Sequence, residues 1–355
     1  MKATDLPALR LRSQLISLSS CATPHDVVRA MGAMQAQDRA AALWAVGLRL
    51  PGSTLSDVEA ALAARTVVRT WPVRGTLHLV ASEDVHWMLP LLTPRIVKGA
   101  AGRARQLELD DATFAKARKV LARELEGGRQ QSRADLLATL EREHISTAGQ
   151  RGYHILWRLS QEGLLCLGVH DDKQQTFVLL DEWVPRPKPR DAATCLAGLA
   201  VRYFSSHGPA TERDLAWWSG LKLSEVRQAI ETAGARIHLE DVDGVEHWHV
   251  PASGKAASRA FLLPGFDEYL LGYTDRGAVL EPKHFDKVVP GGNGMFLSMM
   301  VLDGAIVGTW KRTFKKRGVE VQYLPFSKMK KRDSELFDAA AAQYGRFLGL
   351  PATRP

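Results

Sequence analysis

Arg69-Thr70-Trp71-Pro72-Val73-Arg74-Gly75-Thr76-Leu77-His78 is the run on which the fold turns. The wider stretch Val67 to Val80 is rich in β-branched and aromatic residues and carries Pro72 and Gly75 at its centre, which predicts a hairpin. Upstream, apolar residues recur at helical spacing around Leu9, Leu11, Leu15 and Ile16, then Val27, Val28 and Met31, then Ala41, Leu43, Val46 and Leu48. Gly52, Ser53 and Thr54 punctuate before another helix over Leu55 to Ala64. A helical head followed by a hairpin is the layout of a winged helix, a helix-turn-helix core with a β-ribbon wing.

The pattern repeats. Helices around Trp87 to Ala101 and Asp111 to Leu125 form a connector. Ser132 then caps a helix through Leu136, Leu137 and Leu140, and a second helix, Gln150 to Glu162, ends at Gly163. Strands at Leu164 to Leu167 and Phe177 to Leu180 flank the polar turn Asp171-Asp172-Lys173. The alternating prolines of Pro185-Arg186-Pro187-Lys188-Pro189-Arg190 predict an extended spacer. A third copy follows, with helices at Ala192 to Ser206, Thr211 to Ser219 and Ser224 to Thr232. Its strands, Arg236 to Glu240 and Glu246 to Val250, turn at Asp243-Gly244.

From Phe261 the character changes to strand-like segments separated by Gly-rich turns, finished by an alanine-rich helix around Glu335 to Leu348. A small β-barrel or curled sheet closed by a helix is expected there. The fold class is therefore α+β, mainly α, with three tandem winged-helix modules and a C-terminal β-barrel-like element. The expected boundaries are winged helix 1 over 1–85, a helical connector over 86–130, winged helices 2 and 3 over 131–184 and 185–256, and the β-rich domain with its closing helix over 257–355.

Composition bounds the function. A chain of 355 residues, 45% hydrophobic and 24% charged, is ordinary for a globular protein of two or three domains. A net charge of +8 favours an acidic partner, nucleic acid above all. Cys21, Cys166 and Cys195 are odd in number and widely spaced, so they read as reduced core residues of a cytoplasmic protein. There is no signal-peptide layout and no apolar stretch long enough to cross a bilayer.

The chemistry centres on Gln35-Ala36-Gln37. Two amides two residues apart point the same way when the backbone between them is extended, and a bound water is the natural thing to hold there. A glutamine has one acceptor oxygen, two amide hydrogens and no useful proton affinity, so the pair can orient a water without acting as a true base; on spacing alone the alternative is that Gln35 and Gln37 cap or bridge two helices. Such a site suffices where the leaving group is already good. Asp38 is the alternative base; in an extended backbone it points the other way and either pairs with Arg39 or caps the next helix.

Gln35-Ala36-Gln37 together with Arg74-Gly75-Thr76-Leu77-His78 resembles the AlkZ-like family of winged-helix DNA glycosylases, which carry a catalytic Gln-X-Gln near the N-terminus and an Arg-Gly-Thr-X-His signature. The resemblance runs along nearly the whole chain. It implies a monofunctional DNA repair glycosylase that releases alkylated purines, N7-alkylguanine first, with bulky or crosslinked adducts as further substrates. Its partner would be duplex DNA containing alkylation damage. No cofactor, metal or membrane is implied, and the expected state is a monomer in the cytoplasm, associated with the bacterial nucleoid when bound to DNA. Gln35 and Gln37 would be the catalytic pair.

Further candidates stand around this pair. Trp71, Arg74 and His78 could contact phosphate, stack on a base or brace the glutamines, or belong to an ordinary wing with a core tryptophan and solvated arginines; Arg74 and His78 are expected to line one strand face, with His78 as the chosen partner behind the glutamines. Arg39 and Arg69 are expected to contact DNA, as are Lys311, Arg312, Lys315, Lys316 and Arg317 on a hairpin that tracks a phosphate backbone. Leu263-Pro264-Gly265-Phe266-Asp267-Glu268-Tyr269-Leu270-Leu271-Gly272-Tyr273, continuing to Asp275-Arg276, also resembles the family; its acids could coordinate a metal or act as acid and base, and it is expected to fix a turn, with Asp267 and Arg276 as the candidate buried pair. Gly254-Lys255 lacks the rest of a phosphate loop, and His247 and His249 lack further ligands at metal spacing. The rivals are a non-catalytic winged-helix DNA-binding protein or transcriptional regulator, and an interaction scaffold without salt-sensitive DNA binding.

Overall fold

The Pro-containing run does form a hairpin, and the proline sits where the ladder slips. In the computed structural model, which describes residues 1–171, 174–251 and 259–355, strands Val67–Val73 and Thr76–Ala81 pair antiparallel from Val67↔Ala81 to Thr70↔His78, then shift by one residue before Val73↔Thr76. Proline has no N–H to give the ladder, and a bulge is where a strand tolerates it. Arg74 and Gly75 make the turn with positive φ, 51° and 71°, as a right-twisted two-residue hairpin connection requires.

The chain divides into two compact units, residues 1–60 with 196–355, and residues 61–195. Helices and strands are mixed throughout, so the chain is less dominated by helix than expected. In the second unit the first two expected hairpins do not stand alone. Arg69 pairs with Leu167, so the strands Thr76–Ala81, Val67–Val73, Leu165–Asp171, Gln174–Leu179 and Gln131–Ser132 lie in that order in one sheet. Helices Ser82–Gly99, Asp111–Leu125, Arg133–Arg142 and Arg151–Gln161 complete the unit, and Ser132 caps its helix by accepting from the Asp135 amide. The turn expected at Asp172-Lys173 lies outside the described residues, as does Gly254-Lys255.

In the first unit the helix Pro24–Met31 starts at Thr23 in a capping box with Asp26, and ends at Gly32, whose φ of 80° breaks the helix. A three-residue strand, Ala33–Gln35, follows, and then the helix Arg39–Leu48, whose residues Ala41 to Leu48 are all buried. A helix apolar all round belongs in a core. Trp44 donates its indole N–H to the Leu262 carbonyl at 2.8 Å and meets Tyr344 edge-on at 5.0 Å. Gly47 lies so close to the Phe347 ring that a Cβ there would stand 2.3 Å from it.

The helix order of the third expected module is present as Ala192–His207, Glu212–Ser219 and Leu223–Ala233, followed by the two-stranded sheet His238–Val242 and Val245–His249 turning at Asp243-Gly244. The C-terminal sheet has the order Ala352–Thr353, Gly318–Pro325, Ala305–Lys315, Met299–Leu302, Ala260–Leu263. Among the described residues its outermost strands do not pair with each other, so it is an open sheet rather than a closed barrel, covered by the helix Lys331–Leu348. Among the described residues no helix is long and apolar enough to cross a membrane.

Candidate active site

The Gln35-Ala36-Gln37 element lies between two buried structures, the end of the strand Ala33–Gln35 and the start of the core helix Arg39–Leu48. Ala36 is fully buried, whereas Gln35 is half-buried and Gln37 is exposed. Alternation of this kind follows from an extended backbone, which sends successive side chains to opposite sides. Asp38 is the N-cap of the following helix, its side chain accepting from the Ala41 amide at 3.0 Å. Its carboxylate is thus engaged in the cap, and the sequence alternative of a pair with Arg39 does not form: Arg39 bonds Glu59 at 2.8 Å instead.

Behind Gln35 stands Glu268, which the sequence placed in a motif without tying it to the glutamines. The Gln35 backbone N–H donates to Glu268 Oε1 at 3.1 Å, and the indole N–H of Trp218 donates to Glu268 Oε2 at 2.9 Å. His207 Nε2 stands 3.4 Å from the same oxygen, and its ring stacks on Tyr203 with centroids 4.6 Å apart. The neighbouring Asp267 does not pair with Arg276. It takes a bidentate bond from Arg49, at 2.8 Å on each side, with both side chains wholly buried. Arg276 donates to the Leu270 carbonyl and lies over Trp217 and Phe296. The sequence placed Arg276 nine positions from Asp267, but the chain folds Arg49 onto the carboxylate from 218 residues away.

Arg49 engages every donor it has. Nε donates to the Gln14 carbonyl, and the other bonds go to the Ala45 carbonyl, Gln14 Oε1 and the two Asp267 oxygens. Gln14 passes the network on, its Nε2 donating to the Glu268 carbonyl and the Tyr273 hydroxyl. A guanidinium saturated in this way satisfies the rule that buried charge needs complete hydrogen bonding. Burial drives the Tyr203, Tyr269 and Tyr273 hydroxyls far above the ordinary phenol range, so they serve as neutral donors at any physiological pH. The segment that makes this possible is strained at one point: Phe266 has φ of 61°, uncommon for a bulky residue. Beside it, Gly265 passes so close to the Phe296 carbonyl that a Cβ would stand 2.6 Å from that oxygen.

In the other unit, Trp71 is buried and stacks on Phe177 with centroids 6.3 Å apart. His78 is fully buried, its Nδ1 2.9 Å from the Thr76 carbonyl. Arg74 occupies the turn rather than a strand, so the strand parity expected to put it on one face with His78 does not apply. The carbonyl of Gly75 accepts from the Trp157 indole at 3.0 Å. Arg69 is half-buried and donates to Gln175 Oε1 at 2.7 Å.

The basic hairpin exists as expected: Ala305–Lys315 and Gly318–Pro325 pair from Gly308↔Pro325 to Lys315↔Gly318, with Lys316 and Arg317 as the turn. Lys311, Lys315, Lys316 and Arg317 are exposed, while Arg312 folds back to donate to the Tyr344 hydroxyl at 2.8 Å. Lys315 stands 3.3 Å from Glu320. Phe314 is 57% exposed near the tip, an apolar side chain among cations. A second basic hollow, about 790 Å³ in volume, is lined by Arg29, Arg202 and Arg236 with Ser20 and Ser205. Its arginines come from three separate elements, so no run of charge announces it. Cys166 and Cys195 are buried as expected, but Cys21 is only partly covered. Among the described residues no group of three or more His, Cys, Asp and Glu side chains could hold a metal ion.

The chain is similar to known proteins along its length. It is 26% identical to an interstrand DNA cross-link repair glycosylase of Streptomyces sahachiroi, over 97% of this chain and 95% of that protein. Its fold superposes on the structure of the Streptomyces sahachiroi DNA glycosylase AlkZ with a TM-score of 0.82 and 23% identity, covering all of both chains. The family model described as DNA glycosylase AlkZ-like matches residues 28–347. The chain therefore belongs to the AlkZ-like family of DNA glycosylases, hydrolases of the N-glycosyl bond.

Proposed function

We propose that this enzyme hydrolyses the N-glycosidic bond of an alkylated purine in duplex DNA, N7-alkylguanine first and bulky or crosslinked adducts with it, leaving an abasic site. The name of the Streptomyces relative, which repairs interstrand cross-links, favours the wider substrate range. The observation that carries the reading is the accessibility of Gln35 and Gln37 on either side of a fully buried Ala36. Two amides held this way can take up a water and aim it at the sugar carbon. They can also stabilise the oxocarbenium character of the transition state through their carbonyl oxygens. They need not protonate the leaving group, because an N7-alkylated purine departs neutral. A monomer without a cofactor would suffice for this chemistry.

The cations Lys311, Lys315, Lys316 and Arg317 would hold the phosphate backbone, with Arg312, Arg39 and Arg69 as supporting contacts, and the exposed Phe314 would press on base edges or into a step. Trp71, Arg74 and His78 would brace the first hairpin. Three winged-helix modules, over 1–85, 131–184 and 185–256, would form the scaffold that carries these groups. The work would be done in the cytoplasm, on nucleoid DNA.

The test is release of N7-methylguanine from a methylated duplex under single-turnover conditions, wild type against Gln35→Ala and Gln37→Ala. Loss of one preorganised amide donor or acceptor is expected to slow release by about 10²–10³-fold, with duplex affinity retained. Wild-type protein that binds duplex in a salt-dependent way and releases no base would leave a non-catalytic DNA-binding protein.

A further inference from the structure

A carboxylate that is 2% exposed has to be surrounded by donors, because an unpaired charge removed from water is strongly unfavourable. Glu268 has its donors, and the one that matters comes from 233 residues away: the backbone amide of Gln35. The carboxylate is itself held in place. Trp218 donates to the second oxygen at 2.9 Å, His207 backs the same oxygen at 3.4 Å, and the Glu268 carbonyl accepts from Gln14. The preceding residue, Asp267, is locked by Arg49, so the backbone at Glu268 cannot drift toward or away from the strand.

We propose that Glu268 is a positioning residue for Gln35, fixing its backbone and with it the direction in which the Gln35 amide points. This rests on the reading of Gln35 and Gln37 as the water-holding pair. A charge-assisted bond from a backbone N–H to a carboxylate is roughly twice as strong as a neutral one. The site also asks for a carboxylate rather than an amide. Both Glu268 oxygens receive N–H donors, from Gln35 and from Trp218, so a glutamine in its place would turn its own NH2 group against one of them.

The experiment uses the full chain with Glu268→Gln, and reads both single-turnover release of N7-methylguanine and hydrogen–deuterium exchange of the peptide containing Gln35. A displacement of the reacting groups by about 1 Å is worth on the order of 10²-fold in rate, so a loss of that size is expected at unchanged duplex affinity, together with faster exchange at Gln35. In a Gln35→Ala background the substitution should cause no further loss, because the side chain it positions is gone. Trp218→Phe, which removes only the donor behind the carboxylate, should move rate and exchange in the same direction by less. Unchanged release or unchanged exchange in folded Glu268→Gln overturns the proposal, as do losses that multiply in the double variant. If wild-type protein releases no base, the glycosylase reading fails on its own, while the exchange measurement still decides whether Glu268 holds the Gln35 backbone.

Discussion

Truncation of Asp267 to alanine tests the buried network on which the site is built. Both members of the Arg49–Asp267 pair are 0% exposed at their side chains, and two parallel bonds of 2.8 Å join them. Asp267→Ala leaves the guanidinium in place with two donors unpaired and no route to solvent. Removing one partner of a buried pair is destabilising by about 3–5 kcal/mol. The carboxylate also caps its own short helix through the Tyr269 amide at 2.9 Å, and removal of a cap adds about 1 kcal/mol. The expected total, about 4–6 kcal/mol, is a large fraction of the roughly 5–15 kcal/mol that holds a typical domain folded. Urea titration, followed by both circular dichroism and tryptophan fluorescence, measures it from the shift in midpoint at constant slope. Arg49→Met in the same background should recover part of the loss, since it removes the stranded charge. A shift worth less than about 1 kcal/mol for Asp267→Ala would refute the reasoning, because it would mean that water reaches Arg49.

Two further outcomes follow from exposed parts of the molecule. With Lys316 and Arg317 at the hairpin tip, replacing both with alanine should flatten the dependence of log affinity on log salt by about 0.9 for each phosphate that is no longer neutralised, measured by fluorescence anisotropy on a duplex; an unaltered slope would take the tip off the DNA. Asp26, Asp110 and Asp191 each have a carboxyl held below the ordinary aspartate range, chiefly by the hydroxyls of Thr23, Thr113 and Thr194. Because the folded values lie below the unfolded ones, the stability they contribute is complete above about pH 4 and is lost as pH falls through the folded values. Acid unfolding should therefore show a flatter decline in Thr113→Val than in wild type, and equal declines would remove these caps as its cause.

Local pattern carried much of the fold. The helix Asp111–Leu125 has the expected bounds, the Ser132 cap and the Asp243-Gly244 turn are where the residue types predict them, and the basic hairpin forms between adjacent strands. In each case the determining interactions lie within a few residues along the chain, so periodicity and capping chemistry contain them. Arg74 went astray for a local reason as well: with Gly75 it makes the two-residue turn at positive φ, so it belongs to neither strand.

What the sequence by itself determined was the family motif, the local elements and that Gln35 and Gln37 share one side of an extended segment, since alternation is a property of extended backbone; that this side is the accessible one was decided by the fold. Tertiary structure alone decided what stands behind them. Nothing in the spacing of Asp267 and Glu268 distinguishes a turn from a clamp, and their partners Arg49, Trp218 and Gln35 lie 218, 50 and 233 residues away. The pairing of Arg69 with Leu167, which joins two hairpins into one sheet, is of the same kind. Such contacts are chosen by which buried donors and acceptors can be satisfied at once when the chain closes on itself, a condition on the whole fold that no short window of residues expresses.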